Sequence, residues 1–105
     1  MSPEEIFNAI VSDLEKHEGV DSGKMMSAPG IRFRNKNFAF FHKNEMVFRL
    51  GRDWNPSDAG IRNWSHFSPF KNKPPMVDWF CITDKDADLW SELATKALSR
   101  IMAGK

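Results

Sequence analysis

The sequence lacks several features that would place it in a specialised class of protein. It has one cysteine, Cys81, so no disulfide can form within the chain. No apolar run approaches the ~18 residues of a membrane-spanning helix, and we find no internal repeat or low-complexity tract. No stretch resembles a signal peptide, which together with the lone cysteine predicts a cytoplasmic protein without a membrane contact.

Charge of one sign is not in excess either. The 105 residues include 15 lysines and arginines and 14 aspartates and glutamates, for a formal net charge of +1. Because dedicated nucleic-acid-binding domains usually carry a basic excess, this balance argues against one, while a local basic patch remains compatible with it. The length predicts a single domain over residues 1–105.

The short motifs that carry a known chemistry are also missing. There is no glycine-rich phosphate loop and no nucleophile elbow. The histidines His17, His42 and His66 lie far apart and lack the spacing of zinc ligands. Cys81 has no neighbouring cation to activate it, so a buried, inert thiol is the simpler interpretation. We therefore predict a non-enzymatic protein with no catalytic residue, metal site or cofactor.

An amphipathic helix is predicted near the start of the chain, from about Pro3 to Glu18. Ser2 and Glu5 have the spacing of a capping box around Pro3. Apolar residues then recur at helical spacing, and Gly19 is a suitable end for the helix.

A second amphipathic helix is predicted at the C-terminal end. Its continuous apolar stripe comprises Trp90, Leu93, Ala94, Ala97, Leu98 and Ile101. Asp84 is the predicted cap of this helix, and Asp86 and Asp88 would lie near its positive end. Capping explains these three aspartates better than a cation-binding loop does.

Between Ile31 and Leu50 the apolar period changes to two, which is typical of strands. Turns predicted at Asn35-Lys36-Asn37 and Lys43-Asn44-Glu45 divide this stretch into a three-strand antiparallel meander. A short first strand at Lys24-Met25-Met26 and a later strand from Met76 to Thr83 would extend the sheet. The element order predicts an α+β fold with two layers, in which the terminal helices cover one face of an antiparallel sheet.

Alternation divides the meander into two faces. The apolar face, predicted to form the core, carries Ile31, Phe33, Phe38, Phe40, Met46, Phe48 and Leu50. The second face, part cationic and part apolar, carries Arg32, Arg34, Ala39, Phe41, Val47 and Arg49, with Lys36 and Lys43 at the turns. Five phenylalanines lie between Ile31 and Leu50, and only Phe41 among them is left outside the predicted core.

Three interpretations fit the second face. It is a solvated surface with arginine stems over apolar neighbours, or an interface with a protein partner or a second copy, since arginine and aromatic residues are enriched at interfaces. Alternatively it binds nucleic acid, with cations on phosphates and one ring free to stack. The candidate residues of this face are Arg32, Arg34, Lys36, Phe41 and Arg49.

The segment 51–75 is irregular and rich in tryptophan, asparagine, serine and proline. A short helix is predicted over residues 55–62. Trp54 and Trp64 could line a small-ligand pocket against Trp79. The alternative interpretation is that these rings simply close one end of the domain.

Two segments of the chain resemble a known family. "KMMSAPGIRFRNKNFAFFHKNEMVFRL" and "FSPFKNKPPMVDWFCI" are similar to successive segments of TfoX N-terminal domain-like and YjbR-like proteins. The matching positions are Lys24, Met25, Pro29, Gly30, Lys36, Phe38, Ala39, Arg49, Leu50, Phe67, Pro69, Pro75, Met76 and Trp79. The resemblance covers roughly Lys24 to Ile101 and departs from the family pattern at Asn35 and at Ser27-Ala28.

The resemblance implies an α+β domain arranged like secretion-chaperone folds, and it implies little about activity. TfoX regulates natural competence, and YjbR-like domains have been described as DNA binders of a double-wing type. We therefore predict a small non-enzymatic binding or regulatory module that acts through protein contacts. The alternative is DNA binding through the basic face of the sheet.

Overall fold

Six antiparallel strands and two α-helices make up the described part of the chain, residues 1–25 and 27–104, in this computed structural model. The strand order in the sheet is β1-β2-β3-β4-β6-β5. The strands are β1 (Val20–Met25), β2 (Ala28–Phe33), β3 (Lys36–His42), β4 (Glu45–Arg49), β5 (Trp64–Phe67) and β6 (Met76–Ile82), and the helices are α1 (Pro3–Leu14) and α2 (Trp90–Met102). The predicted α+β class, an antiparallel sheet with N- and C-terminal helices, is confirmed.

Helix α1 begins at the predicted capping box. The backbone N–H of Glu5 donates to the Ser2 hydroxyl at 3.2 Å, and the Ser2 N–H donates to the Glu5 carboxylate at 2.9 Å. These bonds lower the pKa of Glu5. The helix ends at Leu14 rather than Glu18, because the chain tightens through i→i−3 bonds and turns at Gly19 (φ +90°) to enter β1.

Helix α2 has the predicted buried stripe but begins later than expected. The prediction that Asp84 caps it is wrong, since Leu89 is at the N-cap of α2 and Asp84 begins a separate 3₁₀ helix whose N-cap is Thr83. Asp84–Leu89 forms a 3₁₀ helix with a kink at Asp86 (φ −113°, ψ 28°), and the α-helix starts only at Trp90.

Two other elements differ from the sequence-based prediction. The first strand runs over Val20–Met25 and is longer than expected, and Met26 lies outside the described residues. The edge strand Trp64–Phe67 was missed. The short helix is confirmed as a 3₁₀ helix, Pro56–Ala59, with Asn55 as its cap, although it ends earlier than predicted.

Both turns of the meander are two-residue turns with a cation followed by asparagine. Arg34 and Asn35 have φ of 48° and 69°, and Lys43 and Asn44 have φ of 50° and 63°. Positive φ at both central residues is the pattern of a type I′ hairpin turn. The first turn lies earlier than predicted, so Lys36 is already the first residue of β3.

Strand β3 contains a bulge that the alternation did not reveal. Ile31 of β2 pairs with Ala39, but the next residue, Arg32, pairs with Asn37. Phe38 therefore has no partner of its own on β2. One extra residue shifts the alternation by one from that point onward, so that all later side chains of the strand change face.

The bulge exchanges the faces of the next two phenylalanines. Phe41 stacks on Phe7 of α1, with ring centroids 5.3 Å apart, and meets Trp90 of α2 edge-on at 6.4 Å. Phe40 lies on the other side of the sheet, against Phe67 at 4.9 Å and Trp79 at 5.4 Å. The predicted faces of Phe40 and Phe41 are therefore both wrong.

The sheet consequently has apolar clusters on both faces. The cluster under the helices holds most of the core, including Ile31, Phe38, Met46, Phe48, Phe80, Ile82 and Trp90. We call the opposite side the outer face; its cluster comprises Ala28, Phe40, Val47, Phe67, Trp79 and Cys81, with Met25 and Met76 packed against it. Neither helix contributes a residue to this second cluster.

Candidate functional site

Arg32, the first candidate of the predicted basic face, is already paired within the fold. Its Nε and Nη2 donate to the two carboxylate oxygens of Asp21 on β1 at 2.8 and 3.0 Å. The hydrogen bond with Arg32 holds the pKa of Asp21 below its usual value. The side chain lies across Gly23, where a Cβ would come within 2.9 Å of the Arg32 Cδ.

The other candidates of that face are spread over the molecule. Arg34 lies at the first turn with its guanidinium carbon 5.1 Å from the Phe33 ring centroid, and Lys36 is exposed beside it. Arg49 is half-buried on the outer face opposite Trp79, and its Nε is buried without a hydrogen-bond partner among the described residues. Phe41, the predicted stacking ring, packs under the helices instead.

The sheet also separates the three tryptophans of the predicted pocket. Trp54 and Trp64 both contact Phe80 on the helix side, with centroid distances of 5.1 and 5.6 Å. Trp79 lies on the outer face against Phe40. The structure therefore does not assemble a pocket from these three rings, and Trp54 and Trp64 serve to close the core.

The residues that could carry chemistry are dispersed. Burial raises the pKa of the Cys81 thiol to about 11, although a hydrogen bond with Ser65 opposes the shift. No three His, Cys, Asp or Glu side chains within residues 1–25 and 27–104 are grouped as metal ligands. In the same ranges no helix has the length and apolar character needed to cross a bilayer.

A groove of about 400 Å³ opens on the outer face, at the end of the sheet where β2 begins and β3 ends. We call it the outer groove; its lining residues are Met25, Ala28, Phe40, His42, Lys43, Phe67, Ser68, Pro69 and Phe70. Phe40 has no exposed surface, so it forms a fixed backing. Phe70, in the connection between β5 and β6, is 52% exposed and leaves an aromatic ring at the rim.

Two polar residues of the outer groove, His42 and Lys43, are adjacent at the end of β3. His42 is half-buried with its ring edge-on to Phe67 at 5.8 Å, and Lys43 is exposed. No carboxylate is among the lining residues. The ion pairs found in the described part of the chain do not involve Lys43. The groove thus combines apolar and polar side chains, and it includes a lysine that has no ion-pair partner in the described part of the chain.

Lys43 also borders two further depressions. One, of about 450 Å³, lies towards α1 and shares Ala28, His42 and Lys43 with the outer groove. The other, of about 250 Å³, extends from Lys43 towards Thr83.

Sequence reasoning did not select His42 or Lys43 as site residues. The available signal was a lysine at the first position of a two-residue turn, where asparagine, aspartate or glycine is preferred.

No family model, curated protein or solved structure matches the chain. The resemblance to TfoX N-terminal domain-like and YjbR-like proteins therefore stays a prediction. The structure defines the fold class, which is α+β. A six-stranded antiparallel sheet is preceded in the chain by helix α1 and followed by helix α2.

Proposed function

We propose that this protein is a non-enzymatic binding module that holds a segment of a partner protein in the outer groove. The single observation that carries the proposal is the combination of a fully buried aromatic backing, Phe40, with a half-exposed aromatic rim, Phe70, in one groove. A cytoplasmic location, expected from the lone cysteine and the sequence's lack of a signal peptide, and a regulatory role, implied by the family resemblance, are part of the same proposal.

The size and lining of the groove support a recognition site. Ligand sites are usually concave, range over ~300–1,000 Å³ and combine mostly apolar lining with a few polar groups. The outer groove has this composition, with His42, Lys43 and Ser68 among aromatic and aliphatic residues. Phe40 and His42 belong to a paired strand of the sheet, so the backing is held rigidly.

The polar groups of the groove favour binding over catalysis. General acid–base and nucleophilic mechanisms need a reacting side chain held by a second polar group. Among the described residues, no hydrogen bond joins His42, Lys43 or Ser68 to another side chain. The nearby thiol of Cys81 is kept protonated by burial, which raises its pKa.

DNA binding through the outer face is the second candidate function, and it is supported by Arg49, which has no ion-pair partner in the described residues. Two features weaken this second candidate: Arg32 is paired with Asp21, and Phe41 faces the helices. If this function is correct, affinity for a short duplex will fall steeply with salt and will drop in Arg49→Ala. Absence of binding at low salt contradicts it.

The partner-segment proposal is tested by selecting peptides from a random display library and mapping the selected peptides by amide NMR shifts. We expect the shifts to concentrate at Met25, His42, Lys43 and Phe70. Phe70→Ser should abolish binding, because it removes the rim. Met102→Ser is the matched control, since Met102 is 53% exposed on α2, away from the groove.

Three results contradict the proposal. Selection yields no peptide above background, the shifts map onto the helices, or Phe70→Ser binds as well as Met102→Ser. Sedimentation of the unliganded protein adds a further outcome. A dimer that dissociates in Phe70→Ser but not in Met102→Ser means that a second copy, not a foreign segment, occupies the groove.

A further inference from the structure

We infer that the bound segment carries a carboxylate beside an apolar side chain, and that Lys43 binds this carboxylate. The inference rests on the proposed function and names the chemistry of the partner. The apolar side chain would lie against the exposed ring of Phe70, with Phe67 and Phe40 buried behind the groove surface, and the carboxylate would lie beside Lys43.

Charge complementarity at the end of the groove is the first argument. Lys43 is exposed, and none of the ion pairs in the described residues satisfies it. Three carboxylates lie in the vicinity. Glu45 faces His42 across β3 and β4, Asp84 lines the depression towards Thr83 together with Lys43, and Glu4 lines the depression towards α1. None of the three comes within 4.0 Å of the Lys43 ammonium or the His42 ring. An anion on the ligand therefore meets a cation that the fold has left unpaired.

The backbone at Lys43 is the second argument. Its φ of 50° is left-handed, a conformation that lysine adopts at a cost and that asparagine tolerates well. Residues kept in such conformations often serve a function that outweighs the strain. Arg34 has the same position in the other turn, with φ 48°, but its cation already lies over the Phe33 ring. Of these two turn cations, only Lys43 lacks a partner within the described fold.

The position of Lys43 is the third argument. It borders the outer groove and both neighbouring depressions, so its flexible side chain can reach an anion from either side of the strand ends. When an apolar residue of the bound segment lies in the groove, the residues next to it in that segment lie near Lys43. The recognised element is therefore an apolar residue followed or preceded by aspartate or glutamate.

The test uses four defined probes followed by NMR titration: acetyl-Gly-Phe-Glu-Gly-amide, its Phe-Gln and Ala-Glu analogues, and 3-phenylpropanoate. We expect the Phe-Glu peptide to bind best at the outer groove. The Phe-Gln peptide should bind about two- to fivefold more weakly, the range expected for an ion pair at a partly exposed site. The Ala-Glu peptide should bind more weakly still, because it leaves the groove empty.

Two variants assign the effect to Lys43. Lys43→Asn removes the cation while keeping a residue that suits positive φ, so the turn should be preserved. It should lower the affinity for the Phe-Glu peptide to that for the Phe-Gln peptide, and it should leave the affinity for the Phe-Gln peptide unchanged. Arg34→Asn is the matched control, because it removes the same charge from the same position of the other turn and should change neither affinity.

Several outcomes overturn the inference. These are equal affinities of the Phe-Glu and Phe-Gln peptides in the native protein, equal losses in the two variants, or no saturable shift with any probe. If the Phe-Gln peptide binds the groove as tightly as the Phe-Glu peptide, or if only a library-selected neutral peptide binds there, the proposed function stands and only the carboxylate is wrong. If 3-phenylpropanoate binds as tightly as the Phe-Glu peptide, the groove is a small-carboxylate site, and the partner segment is wrong.

Discussion

At the scale of single residues, the candidate site depends on features that side-chain type alone does not disclose. Arg32 and Lys43 are both cations of the same meander, yet one is neutralised by Asp21 and the other is unpaired in the described fold. Asp21 lies eleven positions before Arg32 in the chain and becomes its neighbour only through the β1–β2 register. The sequence could therefore identify the cations but not which of them is available to a ligand.

Cys81 allows a prediction at this scale. Because burial raises its pKa to about 11, the native thiol should react slowly with Ellman's reagent at pH 8. The same chain in denaturant, where a free thiol has a pKa of ~8.5, should react fast and serves as its own control. Equal rates in the two states would contradict the burial of this side chain.

The same shift fixes the sign of a pH dependence. Between ~8.5 and about 11 the unfolded chain loses the thiol proton while the native protein keeps it. The free energy of unfolding should therefore fall as the pH rises through this window. Cys81→Ala lacks the group and should show a smaller fall, measured by urea denaturation at several pH values.

At the scale of elements, local patterns were sufficient for the existence and buried faces of the helices, although not for all of their ends, and insufficient for the details of the sheet. The stripe of α2 and the capping box of α1 involve residues within a few positions of each other, so periodicity and spacing predicted them. The bulge in β3 arises from pairing with β2, and the edge strand Trp64–Phe67 is defined by pairing with β6. Neither pairing is visible within a window of one strand, and this is why Phe40 and Phe41 were assigned to the wrong faces.

The contact between Gly51, which follows β4, and Arg100 of α2 provides a second prediction. Gly51 has φ +87°, and a Cβ there would lie 2.5 Å from the Arg100 guanidinium. Gly51→Ala should therefore destabilise the protein through backbone strain and by forcing the Arg100 side chain out of its present position. Gly60→Ala is the matched control, since φ is +78° but the space around it is open, and it should cost only the backbone term, about 1–2 kcal/mol.

The comparison of the two glycine variants isolates the packing of Arg100 against Gly51. Urea denaturation gives the free energy of unfolding of each variant, and we expect the loss in Gly51→Ala to be the larger. Equal losses would show that Arg100 moves aside freely and does not fix the end of α2 on the β4 connection.

At the scale of the whole molecule, the two faces of the sheet are closed differently. The helices, together with Trp54 and Trp64, cover one face, whereas the outer face is covered by its own aromatic cluster and by the connection that carries Phe70. That difference leaves the outer groove open, with buried aromatic side chains directly behind its surface. The sequence pattern predicted the layered architecture but not the outer groove. The groove is backed by Phe40, and only the bulge in β3, which the pattern does not reveal, turns Phe40 to the outer face.

The central claim, that a partner segment binds in the outer groove, is tested most directly by the ¹³C-methyl spectrum of the methionines. Met25 lines the groove, Met46 is buried under the helices, and Met102 is exposed on α2. Adding a library-selected peptide should shift the Met25 resonance saturably and leave Met46 and Met102 in place. A saturable shift of Met102 with an unchanged Met25 would contradict the account.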